Sequence, residues 1–318
     1  MSSRKEAGRV AILGVFVADT AYRADRMPVI GETVLGNSFV LGPGGKGSNQ
    51  AVACARSGAE THMISKLGRD DFAKLALETW REAGVTRHVD QVADSYTGAA
   101  YIFIEEATGD NAIIITPGAA ALITPADIEA RRDVIEAADV FVTQLEQPLD
   151  AAMRGLEIAR AAGIATILNP APAADLPDGM LALCDYVTPN ETETEALTGV
   201  PVVTEEDAAR ACEALKRAGV ATPVITMGAQ GAYLDGHGLV PAISAGPVVE
   251  TTGAGDAFNG GLAAALARGE NAADAVWIGC ATAGISVTRP GTAPSMPSWQ
   301  EVQTLLQTTA KSEFSRKL

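Results

Sequence analysis

The decisive stretch of the chain reads Thr251-Thr252-Gly253-Ala254-Gly255-Asp256-Ala257-Phe258-Asn259-Gly260-Gly261, and helix-forming residues follow it. Glycine has no Cβ, so Gly253 and Gly255 let another group approach the backbone closely. Backbone N–H groups at the start of a helix have no partner within the helix, and the helix dipole adds positive charge there. The stretch therefore predicts an anion site, suited above all to phosphate.

Asp256 is a carboxylate set inside this predicted anion site. One interpretation makes it a helix-start residue, because aspartate is favourable in a first turn for dipole reasons alone. The other makes it a general base, held beside a bound phosphate to accept the proton of an attacking hydroxyl. The stretch by itself leaves both interpretations open.

The composition of the chain argues against several classes of function. With 318 residues, 47% of them hydrophobic, the chain can form one large α/β domain or two smaller ones. A net charge of −15 argues against nucleic-acid and anionic-membrane partners, because both require a basic face. The four cysteines form no CxxC pair and the three histidines form no motif, so we expect buried thiols and no histidine-based metal site.

The apolar run near the start of the chain, residues 10–17, follows Arg4 and Lys5 as in a signal peptide. Asp19 ends the apolar segment before it reaches the length of a helical core. We therefore expect a first β-strand buried on both faces. Together with the cysteine pattern, this favours a cytoplasmic protein.

The rest of the chain alternates between strands and helices. Residues 19–41 and 99–115 lack helical periodicity and contain turn residues, so we expect them to form one small sheet apart from the main body. Further strands are predicted at 61–67, 140–143, 164–168, 185–188, 224–226, 232–234 and 247–249, and helices at 48–57, 71–83, 127–137, 149–162, 191–197 and 205–218. This alternation indicates a largely parallel sheet covered on both faces, with ligands at the carboxyl ends of its strands.

Polar residues follow several of the predicted strands. Asp19 follows the first strand, Glu146 follows the strand at 140–143, and Asn169 follows the strand at 164–168. Thr226 and Gly228 come at the end of the strand at 224–226. Any one of them could be a cap or a turn residue. Because parallel strands end at one edge of the sheet, we expect all of them on one rim.

Asn190 and Glu193 follow the strand at 185–188 and have two interpretations. The spacing is that of an ordinary capping box at the start of a helix. The alternative is a Mg²⁺–water site, since Mg²⁺ keeps several waters and takes few protein carboxylates.

The glycine-rich loop Gly42-Pro43-Gly44-Gly45-Lys46-Gly47 has the spacing of a dinucleotide fingerprint but does not directly follow the first strand. The Walker pattern fails because Gly47 stands where serine or threonine is required. We interpret the loop as backbone that reaches a polar ligand, with Lys46, Asn49 and Gln50 adding donors. A tight turn with an exposed Lys46 is the alternative.

Two segments, residues 44–51 and 253–258, resemble the two signatures of the PfkB family of sugar and nucleoside kinases. Residues 168–172, 188–193 and 288–295 are similar to the ribokinase branch of that family. The resemblance runs from about residue 10 to 297, nearly the whole chain.

The resemblance implies a ribokinase-like three-layer α/β/α fold with a mostly parallel sheet. It implies one kinase domain over residues 1–310, with a β-sheet lid from about 19–41 and 97–116, and a polar tail at 311–318. It also implies a homodimer through the lid, and ATP, Mg²⁺ and K⁺ as cofactors.

The resemblance also implies roles for individual residues, and Asp256 is the implied catalytic base. The backbone N–H groups of Gly253, Ala254 and Gly255 match the anion hole for the transferred phosphoryl. The positions that match sugar-binding residues are Asp19, Gly45, Lys46, Asn49, Glu146 and Asp256. Those that match the phosphate, magnesium and ATP motifs are Asn190, Glu193 (Mg²⁺ through water), Thr226, Gly228 and Gly255. Those that match the monovalent-cation site are Glu250, Thr252, Ser286, Arg289, Gly291 and Ser295.

Two positions depart from the family pattern. Val17 stands where ribokinases usually have asparagine, two residues before Asp19. An apolar side chain cannot donate to a sugar hydroxyl, and a lost polar partner changes specificity. Glu250 replaces the aspartate that usually occupies the cation position.

These features together predict an ATP-dependent kinase that phosphorylates a primary hydroxyl of a small sugar, with D-ribose as the first candidate. One alternative is a kinase of the same family for another pentose, a ketohexose or a nucleoside. A dinucleotide-dependent oxidoreductase using the Gly42 loop and a non-catalytic sugar sensor are the other two.

Overall fold

A computed structural model describes the backbone of residues 7–316 and the side chains of residues 7–309. The strands are β1 (Arg9–Leu13), β2 (Val17–Ala24), β3 (Ser38–Gly44), β4 (Glu60–Leu67), β5 (Thr86–Gln91), β6 (Thr97–Glu105), β7 (Asn111–Gly118), β8 (Val140–Thr143), β9 (Ala165–Leu168), β10 (Tyr186–Val187), β11 (Thr222–Thr226), β12 (Gly231–Leu234) and β13 (Gly238–Pro241). The helices are α1 (Lys46–Arg56), α2 (Asp71–Ala83), α3 (Pro125–Glu129), α4 (Arg132–Glu136), α5 (Leu149–Ala161), α6 (Glu191–Thr198), α7 (Glu205–Arg217), α8 (Ala254–Ala267), α9 (Ala272–Ser286) and α10 (Trp299–Arg316).

The main sheet has nine strands in the order β13-β12-β11-β10-β9-β8-β1-β4-β5. It is parallel from β5 to β11, and the β11–β12 and β12–β13 pairs are antiparallel. Successive residues of β1 point to opposite faces: Val10 and Ile12 join the core beneath α1, α8 and α9, whereas Ala11 and Leu13 join the core beneath α5. Helices therefore cover both faces, which confirms the predicted three-layer α/β fold.

The small sheet has four strands in the order β3-β2-β6-β7. Strands β2 and β6 pair in parallel, and each has an antiparallel partner at the edge, β3 and β7 respectively. The two segments that were predicted to form a separate sheet therefore do so.

The predicted first strand is wrong in its length. Strand β1 ends at Leu13, and residues 17–24 belong to β2 of the small sheet. The chain leaves the main sheet at Gly14, where a Cβ would lie 2.6 Å from Cα of Gly47. That close approach to the start of α1 leaves no room for a side chain, so this point of the chain requires glycine. Asp19 consequently lies on the small sheet and not at the carboxyl end of β1.

Four other elements differ from the sequence-based prediction. No strand forms at 247–249 within the described chain; a turn after Leu234 pairs β12 directly with β13. The helix predicted at 127–137 is two short helices, because Arg131 leaves helical geometry with a ψ of 17°. Strand β5 had not been predicted. Helix α10 extends to Arg316, through most of the predicted tail, and residues 317–318 lie outside the described residues.

A membrane span is not found among the helices of the described residues, none of which is both long and apolar enough to cross a bilayer.

Candidate active site

The start of α8 forms one wall of a cleft at the carboxyl end of the main sheet. Gly253 precedes the helix with a φ of 81°, a left-handed conformation that favours glycine. Within the described residues no side chain caps α8. Gly253 and Gly255 both line the cleft. The first turn of α8 therefore has the open, glycine-bordered geometry that an anion site requires.

Asp256 lies in this first turn and is only 8% exposed. Its Oδ2 accepts a hydrogen bond from Asn49 Nδ2 at 3.0 Å, and its Oδ1 accepts one from Gln50 Nε2 at 3.1 Å. Burial raises the pKa of Asp256, while the charge of Lys46 and the two amide donors act in the opposite direction. A surface residue that served only the helix dipole would not be buried and held by two side chains, so this geometry favours the general-base interpretation.

Lys46 and Glu146 meet beside Asp256. The backbone N–H of Lys46 donates to Glu146 Oε2 at 2.7 Å. Burial raises the pKa of Glu146 to about 7, with contributions from the carboxylates of Asp256 and Asp19. The structure thus brings the glycine-rich loop and the residue after β8 to one place.

Asp19 reaches the site from the small sheet. Its carboxyl group lies against the backbone of Gly44, where a Cβ would be only 2.2 Å from Asp19 Oδ2, so position 44 requires glycine. Burial, together with the nearby charges of Asp256 and Glu250, raises the pKa of Asp19 to about 7. Asp19 therefore comes from the small sheet, whereas the sequence pattern predicted it at the end of a main-sheet strand.

Asn190, Glu193 and Thr226 line the same cleft from β10, α6 and β11. Asn190 and Glu193 form a complete capping box, with Glu193 N donating to Asn190 Oδ1 at 2.8 Å and Asn190 N donating to Glu193 Oε2 at 2.9 Å. Burial raises the pKa of Glu193. Gly228 lies two residues beyond Thr226, in the turn after β11. Asn190 and Glu193 therefore cap α6 and line the cleft at the same time, so the two interpretations of this pair are compatible.

The positions matched to a monovalent-cation site lie in two segments: the residues before α8, and the end of α9 with the connection from α9 to α10. Glu250 Oε2 accepts from the backbone N–H of Gly291 at 2.8 Å. Ser286 ends α9, Ser295 lies in the following turn, and Arg289 forms an ion pair with Glu301 of α10. Thr252 directly precedes Gly253, the residue before α8. No group of three or more His, Cys, Asp or Glu side chains converges as metal ligands within the described residues. A cation here would therefore depend largely on backbone and hydroxyl oxygens.

The cleft has a volume of about 160 Å³. The residues that line it are Lys46, Asn169, Ala171, Thr188, Asn190, Glu193, Thr226, Gly253, Gly255, Asp256 and Asn259. Thr188 and Asn259 were not singled out from the sequence; Thr188 Oγ1 donates to Asn259 Oδ1 at 2.7 Å, and Asn259 Nδ2 donates to Gly255 O at 2.8 Å. The position of Thr188 directly after a strand was the available sequence signal.

The glycine-rich loop does not have the setting of a dinucleotide fingerprint. Gly42 and Gly44 belong to β3 and pair with Asp19 and Val17 of β2 in the small sheet. They do not connect a core strand directly to a helix, as that fingerprint requires.

A three-layer α/β fold with a small accessory sheet, and a buried carboxylate beside an open helix start, suit a phosphotransferase, because phosphoryl transfer needs positioning and charge stabilisation. The model of the pfkB family of carbohydrate kinases matches residues 8–299. The chain therefore belongs to the pfkB family of carbohydrate kinases.

Individual relatives agree with this assignment. A ribokinase of Haemophilus influenzae is 36% identical over 301 residues, which cover 94% of this chain and 98% of that protein. A deoxyribokinase of Salmonella typhi is 35% identical over 297 residues, covering 92% of this chain and 96% of that protein. The structure of an Arabidopsis thaliana ribokinase complexed with ribose and ATP superimposes with a TM-score of 0.89 at 29% identity, covering 94% of this chain and 99% of that one.

Proposed function

We propose that this chain transfers the γ-phosphoryl group of ATP to a primary hydroxyl of a small sugar, with D-ribose as the first candidate and ribose 5-phosphate as the product. The observation that carries the proposal is the placement of Asp256, a buried carboxylate held by two amides in the first turn of α8. The family membership and the ribokinase relatives support the choice of reaction and sugar.

In this mechanism Asp256 accepts the proton of the sugar hydroxyl as its oxygen attacks the γ-phosphorus. The bond to the β-phosphate oxygen breaks, so the products are a sugar phosphate and ADP. Phosphoryl transfer needs in-line positioning and charge stabilisation more than covalent help from the protein. The backbone N–H groups around Gly253, Ala254 and Gly255 would stabilise charge on the transferred oxygens.

The sugar would bind between Asp19, Glu146 and the glycine-rich loop with Lys46. Carboxylates accept hydrogen bonds from hydroxyl groups, and two of them converge here from different sheets. Asn49 adds an acceptor, because its Oδ1 is buried and has no hydrogen-bond partner among the described residues. Buried polar atoms without a partner are rare in native proteins, so this oxygen is a candidate to be paired when the sugar binds.

The nucleotide phosphates would lie along the residues after β10 and β11. Asn190, Glu193 and Thr226 present oxygen and amide groups to the cleft, which suits a Mg²⁺ ion bound largely through water. When bound, Mg²⁺ neutralises charge on the phosphate oxygens.

A monovalent cation, K⁺ in the family pattern, would bind where Glu250, which lies before α8, meets Gly291 of the connection between α9 and α10. The Glu250 carboxylate is already fixed on this connection by the Gly291 N–H group. Thr292 Oγ1 donates to Pro43 O at 2.7 Å and so joins the connection to β3. A cation held here would order the backbone next to the anion site.

The small sheet would act as a lid over the sugar and as a dimer contact. Strand alternation places Tyr22, Phe39, Leu41 and Ile114 on the face opposite Asp19, and all four are at least 40% exposed. A contiguous apolar face of this kind marks an interaction surface. Sedimentation should therefore give a dimer, and Ile114→Glu should give a monomer, whereas Val203→Glu, also at an exposed apolar residue, should not.

The first test is sugar-dependent release of ADP from Mg-ATP across pentoses, ketohexoses and nucleosides, with K⁺ present and absent. We expect turnover with a pentose, and Asp256→Asn should lower kcat by about a thousandfold or more while ATP and sugar still bind. The matched control is Asp178→Asn at an exposed surface position. Near-normal turnover of Asp256→Asn would remove the general-base role, and no turnover of the wild-type protein with any acceptor would favour the sensor alternative.

A second candidate substrate is a pentose that lacks one hydroxyl. Val17 and Asp19 are two residues apart on β2 and so share a face of the small sheet, and Val17 is 2% exposed. A site with an apolar group at this point loses little when a hydroxyl is missing, whereas a polar partner would reject the deoxy sugar. The deoxyribokinase among the relatives is consistent with this choice. The ratio of kcat/KM for ribose to that for 2-deoxyribose decides which of the two is the better substrate, and Val17→Asn should raise this ratio.

A further inference from the structure

Gln50 is a buried glutamine of α1 whose side chain reaches Asp256. The residue is 0% exposed. Its Nε2 donates to Asp256 Oδ1 at 3.1 Å and to Asn169 Oδ1 at 3.0 Å, and its Oε1 accepts from Gln144 Nε2 at 2.7 Å. Both N–H groups of the amide are therefore in use. Gln50 can act on the reaction only through Asp256, since it has no donor left for a substrate.

The orientation of the Gln50 amide is set by its neighbours. Asn169 Nδ2 donates to Thr188 O at 3.1 Å, which turns Asn169 Oδ1 toward Gln50. An amide oxygen can only accept, so Gln50 must present an N–H group on that side. Its second N–H group then points at Asp256. A flipped amide would place its oxygen against a carboxylate and an amide oxygen in a buried site, which is strongly unfavourable.

The backbone that carries Gln50 is also fixed relative to α8. Helix α1 packs against α8 at Gly260, where a Cβ would lie 2.4 Å from Ala53 Cβ and 2.8 Å from Gln50 O. Gly260 is one turn beyond Asp256 on α8. This close helix contact therefore holds the Gln50 side chain and the carboxylate at a set separation.

The adjacent residue, Asn49, makes a similar contact with a different consequence. Asn49 Nδ2 donates to Asp256 Oδ2, but Asn49 Oδ1 has no partner among the described residues. Asn49 therefore keeps an acceptor for a substrate, whereas Gln50 keeps none. We propose that Gln50 is a positioning residue that fixes the carboxylate plane of Asp256 and, through its hydrogen bond to Oδ1, stabilises the ionised form of the carboxyl group. This inference rests on the proposed function, in which Asp256 is the general base.

The test replaces Gln50 with methionine, which has a similar length but no donor. We expect kcat to fall about 10- to 100-fold with the KM for sugar within about threefold of wild type, because the lost contact acts on the base and not on the sugar. The acid limb of the profile of log kcat against pH should move upward by about one pH unit, because a donor to the ionised form is lost. The matched control is Gln147→Met: Gln147 is also buried, but it donates to Thr143 Oγ1 and Gln144 O.

Two further measurements decide the outcome if Gln50→Met does not fold or if turnover is absent. Gln50→Glu keeps the shape and still accepts from Gln144, but it sets a second carboxylate beside Asp256, so its acid limb should move further than that of the methionine variant. Titration of the ¹³C-labelled Asp256 carboxyl by NMR, assigned with Asp256→Asn, follows the same shift without any turnover.

An unchanged carboxyl titration in the Gln50 variants, or the same shift in Gln147→Met, would overturn the positioning role. A wild-type protein that turns over no sugar would instead overturn the proposed function alone.

Discussion

The pH dependence of sugar binding is the sharpest consequence of the site's electrostatics. Asp19 and Glu146 each have a pKa raised to about 7, mainly by burial. Both belong to the proposed sugar site. A carboxyl group has its full capacity to accept hydrogen bonds from hydroxyl groups only when it is ionised. Sugar affinity should therefore rise as the pH rises through 7, and fall as the carboxylates become protonated below it.

The size of the effect follows from these values. A carboxyl group with a pKa of about 7 is about one-tenth ionised at pH 6 and about nine-tenths ionised at pH 8. If the sugar requires one such group ionised, its Kd falls about tenfold between pH 6 and pH 8. If it requires both Asp19 and Glu146, the fall approaches about 100-fold, reduced by the coupling between the two groups.

The assay is calorimetric titration of the protein with ribose at pH 6, 7 and 8, without turnover. Repeating the pH 7 titration in two buffers of different ionisation enthalpy measures the protons released on binding, which should be positive. Asp19→Asn should weaken binding at pH 8 and reduce the pH dependence to that of Glu146. The control Asp25→Asn, at an exposed position just after the same strand, should leave the pH dependence unchanged. A Kd that varies by less than about twofold from pH 6 to pH 8 would refute the reasoning.

Three further predictions concern stability and the cation. Gly47→Ala should lower the free energy of unfolding, measured in urea, by about 1–3 kcal/mol, because the new Cβ would lie 2.6 Å from a backbone Cα. The control is Gly42→Ala, where a Cβ meets no described atom within 4 Å. Equal losses in the two variants would contradict the packing argument. Trp80→Phe should lower the free energy of unfolding by about 1–3 kcal/mol in the same measurement, because the buried Trp80 Nε1 donates to Ser48 Oγ at 2.9 Å. A loss below about 0.5 kcal/mol would show that the Ser48 hydroxyl finds another partner. Glu250→Gln should raise the K⁺ concentration for half-maximal activity several-fold at constant ionic strength, since a carboxylate charge is removed; an unchanged K⁺ titration would place the cation elsewhere.

Much of the architecture could be predicted from local sequence. Helix α2 begins and ends where the sequence indicates, because Asp70 caps its start and Gly84 adopts the left-handed conformation at its end. Strand β8 was likewise predicted at its observed bounds, since four consecutive buried residues suit a strand covered on both faces. These features depend on interactions within a few residues, which a sequence shows directly.

Placements that depend on contacts between distant segments could not be predicted in the same way. The run that begins β1 is apolar beyond Leu13, so hydrophobicity alone did not reveal the break at Gly14, which arises from contact with Gly47. The deciding contact there joins two segments that are distant in sequence, so it lies outside any local pattern. Strand β13 is a different case, because a short local turn pairs it with β12.

By itself, the sequence determined the fold class, the order of most elements and the family, and it predicted an anion site at Gly253–Asp256, because glycines, caps and apolar periodicity act locally and the motifs are contiguous. Only the tertiary structure decided that Asp19 reaches the site from the small sheet, and that Gln50 donates to Asp256 across a separation of 206 residues. The physical reason is that such contacts exist only once α1 has packed against α8 and β2 has paired with β3. Burial in that packed site then raises the pKa values on which the proposed chemistry depends.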